Sequence, residues 1–176
     1  MTSFSSVSSS PEAVFLASVN QLKRLFLVYK ASFASANHCF LWHTALLYVA
    51  NAMLRNRELG VDPEWETWLQ MCLSGYKDLS RCFKVAETIY RSLLSMAMRN
   101  GVMTAAEAQD AIEQLGVALN NPKMIEEPTS MIVDLDLAMT DPLAARAGTL
   151  AEQFKDLALF DEFTTSTTVA NEPTKM

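Results

Sequence analysis

His38, Cys39, His43, Cys72 and Cys82 are the side chains with the chemistry of zinc ligands. A structural zinc site takes four ligands supplied as close-spaced pairs. No C-x-x-C or H-x-x-x-H pair is present, so no metal site and no cofactor is expected. The three cysteines fall in or near apolar helical pattern, where buried, reduced thiols of an intracellular protein are the expectation. Nucleophilic catalysis needs a Ser or Cys activated by a His that an acid orients. Both histidines lie in one helical stretch and no G-x-S-x-G elbow exists. Glu126 and Glu127 sit in loop-like sequence as solvated charge. The chain is therefore expected to have no catalytic residues and not to be an enzyme.

Apolar and aromatic clusters offer a different chemistry, that of contact. The ten methionines, Met96, Met98 and Met103 among them, can line a plastic groove but more commonly fill cores. Trp65 and Trp68 are expected as core anchors beginning a helix. A Met- and Trp-lined pocket for a small apolar effector is the second functional reading. Near the C-terminus, Phe154, Leu157, Phe160 and Phe163 repeat every three residues among acids. Such a segment can dock its apolar side chains in a partner's groove, while its charge speeds encounter. Its alternative is a last helix packed on the body through Leu143, Ala147, Leu150, Phe154 and Leu157. That seam would leave Phe160 and Phe163 as the residues free for a partner.

Charge narrows the partner. The net charge is −6, and residues 126–162 hold nine Asp/Glu against two Lys/Arg, leaving the rest nearly neutral. Duplex binding depends on Lys and Arg neutralising phosphates, so sequence-specific DNA binding by this chain is not expected. The start of the chain lacks the basic and apolar blocks of a signal peptide. The most apolar run, Phe40 to Leu54, is interrupted by His43, Thr44 and Asn51. It falls short of the roughly 20 apolar residues of a bilayer span, so no membrane is expected.

The elements that position these residues are helices. Half of the chain is hydrophobic, with only five glycines and six prolines in 176 residues. This favours long helices joined by short turns. Ser10-Pro11-Glu12 is a helix start, and Phe15, Val19, Leu22, Phe26, Tyr29 and Phe33 follow at steps of three or four. Leu16, Leu27 and Val28 fall on other faces, which predicts burial on more than one side. A second helix is expected over about 36–57 and a third from Asp62-Pro63. A fourth, over about 84–100, is closed by Gly101. Thr104 to Glu107 is a capping box opening a fifth, with a stripe as far as Leu119. Prolines and alternation around Ile132 to Leu137 predict a linker over 120–140 lying extended on the body, and Asp141-Pro142 opens the last helix. The expectation is all-α: a bundle or orthogonal array of about six helices, one domain over 11–163, between a mobile Ser-rich 1–10 and a disordered 164–176.

From about His38 onward the sequence resembles the C-terminal part of the regulatory, or middle homology, region of fungal binuclear zinc-cluster transcription factors. The resemblance is carried by the segments Trp42 to Ala52 and Trp65 to Cys72, with Tyr76 and Leu79. Phe83 to Glu87, Leu93 to Gly101, Ala106 to Ala108 and Leu150 to Phe160 continue it in order. It implies nuclear residence, a role in transcriptional control, and a helical domain that meets a coactivator or another regulator of the family. The family's six-cysteine DNA-binding cluster and basic linker have no counterpart among these residues, so DNA recognition is not carried over.

Overall fold

The computed structural model describes residues 10–33, 39, 42–59, 62–115, 130–154 and 156–157. Five α-helices run in order: α1 (Pro11–Ser32), α2 (Trp42–Leu59), α3 (Trp65–Ser80), α4 (Lys84–Arg99) and α5 (Ala105–Glu113). A 3-10 turn follows at Leu137–Met139, and a further helix, α6, covers 147–154 and 156–157. Among the described residues there is no strand, only one isolated antiparallel bridge between Ile132 and Arg146. The fold is all-α.

The chain divides into two compact units, Met1–Cys72 and Leu73–Met176, the division falling inside α3. A single domain over 11–163 was the expectation. In the first unit α1 starts as its sequence dictates. The Ser10 hydroxyl accepts the Ala13 N–H at 3.1 Å, Pro11 takes the first helical position, and Glu12 faces the positive helix end. Phe26 packs on Trp42 of α2 with ring centroids 4.8 Å apart, and Tyr29 packs on the same indole at 4.7 Å. Arg55 of α2 reaches back over the Phe15 ring and towards Glu12. On α2, Leu46, Leu47, Val49, Ala50 and Met53 are all buried, whereas Thr44, Tyr48 and Arg55 are exposed.

The second unit centres on α4, whose Ile89, Leu93, Leu94 and Ala97 are fully buried. It ends in a Schellman motif. Gly101 takes φ 61°, its N–H reaches the Met98 carbonyl at 2.9 Å, and the Val102 N–H reaches that of Ala97 at 2.8 Å. Glycine adopts this left-handed conformation without a Cβ clash. The Ser92 hydroxyl lies 2.7 Å from the carbonyl oxygens of both Thr88 and Ala147, joining α4 to the start of α6. Asp134, buried, accepts hydrogen bonds from Arg99 of α4 on one oxygen and from the Leu137 N–H at 2.9 Å on the other. That pair of contacts holds the 130–140 segment on α4.

The last helix begins later than Asp141-Pro142 suggests. Asp141 Oδ1 accepts the N–H groups of Leu143 and Ala144 at 3.1 and 3.0 Å, making 141–145 a turn. The Val133 N–H then bonds the Ala145 carbonyl and the Ala147 N–H bonds that of Met131. Antiparallel pairing of 131–133 with 145–147 holds the backbone extended there, and helix forms from 147. Leu143, expected in the seam, is 62% exposed as a result.

Candidate functional site

The first unit carries two surfaces of opposite chemistry, both built on α1. The outer stripe is apolar. At 100° per residue, Val14, Leu25 and Val28 fall within about 60° of one another. They are 54%, 56% and 62% exposed. Ser18, Gln21 and Ser32 complete the stripe, and no charged side chain falls on it. Of the 22 residues of α1, only Val19, Lys23 and Phe26 are buried. The sequence calls for burial on more than one side, and one side is packed.

The inner surface is a cleft of about 540 Å³ between α1, α2 and the start of α3. Val19, Leu16 and Trp68 form its apolar part. Lys23 is buried there; its ammonium donates to Asp62 Oδ2 and lies 4.9 Å from the centre of the Trp68 ring. Asp62 Oδ1 accepts the Glu64 N–H at 3.0 Å, so the carboxylate is pinned by the turn that opens α3. A lysine ammonium so far from water is tolerable only with such a partner. Arg24 and Glu64 stand exposed at the rim, and neither forms an ion pair among the described residues. Asn56 of α2 also lines the cleft; it is 2% exposed and its Oδ1 accepts no hydrogen bond. An unsatisfied buried acceptor of this kind costs about 1–3 kcal/mol.

Trp65 and Trp68 are half-buried, not enclosed core anchors. Each indole is covered by a cation, Arg57 over Trp65 at 5.7 Å and Lys23 over Trp68. Trp42 is the buried tryptophan. The cleft holds Trp68 but no methionine, and its rim is charged where an apolar effector pocket would be greasy.

In the second unit Phe154 is 6% exposed, which places its ring in packing and not on a partner-facing surface. Leu157 is half-buried. Phe160 and Phe163 lie outside the described residues, as does His38. Cys39 is half-buried, Cys82 exposed, and Cys72 buried with its thiol pushed up to about 12 by desolvation. His43 is buried, and desolvation lowers its imidazole below the usual range. Among the described residues no three His, Cys, Asp or Glu side chains converge as a metal would need. None of the described helices is long and apolar enough to cross a membrane.

The cleft residues Lys23, Asn56 and Asp62 were not singled out as functional by sequence. One signal was present: Lys23 sits four residues after Val19 and three before Phe26, a cation placed on the buried stripe. No protein-family model, curated protein or solved structure matches the chain.

Proposed function

We propose that this chain acts by protein contact, as the regulatory or effector part of a nuclear transcription factor, with the outer stripe of α1 as the contact surface. The observation that carries the contact reading is the row of Val14, Leu25 and Val28, each more than half exposed on a helix with no charge along that side. Scattered exposed apolar residues are ordinary, but an aligned, uncharged row on a long helix is the kind of surface a partner covers. The partner that fits is a protein presenting its own apolar helix face, packed ridge into groove. The transcriptional reading is supported by the sequence resemblance from His38 onward, and a coactivator or a regulator of that family is the partner it implies. Phe160 and Phe163 are proposed as a second contact, beyond the packed Phe154.

The test fuses residues 1–176 to a heterologous DNA-binding domain and follows a fungal reporter. The wild-type fusion is expected to change reporter output several-fold, and Leu25→Glu/Val28→Glu to return it to baseline. Both substitutions are exposed and helix-compatible, so stability should change by about 0.5 kcal/mol or less per site. An inert wild-type fusion sinks the transcriptional reading. A fully active double variant sinks the α1 surface.

A further inference from the structure

The geometry points to the α1–α2–α3 cleft as a binding site for a small zwitterion, an amino acid with a flat apolar side chain. Recognition divides the cleft into three parts. The Lys23 ammonium has three N–H groups; it donates to Asp62 and lies 4.9 Å from the centre of the Trp68 ring, which leaves donor capacity for a ligand carboxylate. Arg24, at the rim without an ion pair among the described residues, supplies a planar fork for the same carboxylate.

Glu64 and the Asn56 side-chain oxygen provide acceptors for the ligand ammonium, with Glu64 adjoining the Asp62 carboxylate that Lys23 also meets. Asn56 Oδ1 is a buried acceptor with no donor, on a residue that lines the cleft, and a ligand ammonium is a donor of the kind it lacks. Glu64 adds the countercharge from the rim. Leu16 and Trp68 give the apolar wall for the side chain. The four ionised groups of the cleft, Lys23, Arg24, Asp62 and Glu64, sum to zero charge. A ligand with both charges therefore matches better than an anion or a cation alone. The cleft volume of about 540 Å³ lies within the range of small-molecule sites.

This site is separate from the protein-contact surface, because Leu25 and Val28 are not among the cleft residues. The probes are L-phenylalanine, 3-phenylpropionate, which lacks the ammonium, and phenethylamine, which lacks the carboxylate. Titration calorimetry and thermal shift on the full chain should show saturable binding of L-phenylalanine. Each truncated analogue should bind at least tenfold more weakly. Arg24→Gln, exposed and neutral to the fold, should weaken L-phenylalanine at least tenfold. Asn56→Leu should weaken it similarly while raising the melting temperature, because it removes the orphaned acceptor. A residue with only a structural role would not give that opposition. Leu25→Glu/Val28→Glu should bind L-phenylalanine as wild type does, whatever the reporter shows. No heat and no thermal shift at 10 mM L-phenylalanine, about ten times the weak end of ordinary affinities, would overturn the site. Binding of either analogue as tight as that of L-phenylalanine, or an unchanged affinity in Arg24→Gln, would overturn it as well.

Discussion

Cys72 and Cys82, ten positions apart, differ in burial, and burial should set their reactivity. The thiolate is the nucleophile, and forming it at Cys72 means placing a charge in an apolar interior, which pushes that thiol up to about 12. Cys82 is exposed and Cys39 half-buried. A disulfide-exchange reagent at pH 8 should modify Cys82 first and leave Cys72 untouched until the chain is unfolded, as followed by mass spectrometry of digested protein. Labelling of Cys72 at the rate of Cys82 would contradict the burial described for α3. Burial exacts a desolvation cost at Lys23 too, and there Asp62 and the Trp68 face stand where water would be.

Helix ends carry much of the local specification. At α5 the Thr104 hydroxyl accepts the Glu107 N–H at 3.3 Å, and Glu107 Oε2 accepts the Thr104 N–H at 2.8 Å. The hydroxyl also donates to the same carboxylate oxygen, at 2.9 Å. The backbone N–H and then the hydroxyl of Thr104 favour the ionised form and hold the Glu107 carboxyl below its ordinary value. A carboxylate depressed on folding adds stability above its unfolded value, and loses it as pH falls through the folded value. Thr104→Ala removes the N-cap of α5 and should cost about 1 kcal/mol near neutrality, the usual worth of such a cap. The difference from wild type should shrink at pH 3, measured by urea unfolding. An identical gap at both pH values would mean that the ionised box does not contribute. Gly101 and Ser10 behave alike in kind: each is a terminus set by one residue and its neighbours. The start of α6 is not of that kind, since Asp141-Pro142 is a good local cap overridden by pairing of 131–133 with 145–147.

For the molecule as a whole, charge decides which polymers it can meet. A net charge of −6, with the acids concentrated over 126–162, repels phosphate backbones. The isolated chain should show no sequence-selective shift of duplex DNA at about 0.15 M salt, where surface charges are screened over about 8 Å. A tight, selective complex would mean that a local cationic surface outweighs the total. Arg24 and Lys30 of α1 would then be the residues to neutralise first, since both are exposed.

The amino-acid sequence alone determined the helical class, the start of α1, the ends of α4, and the capping box of α5. These depend on contacts within a few residues, which local residue types specify. It also placed Leu150 and Phe154 on a packing stripe, because a period near 3.6 is a local property. Only the tertiary structure decided which apolar stripe of α1 is covered and which is left to solvent, since the periodicity predicts burial without naming the neighbour. It alone joined Lys23, Asn56 and Asp62, residues from three segments separated by up to 39 positions, around one cleft. Bringing such distant groups together is the work of packing between helices, and no spacing within a single helix encodes it.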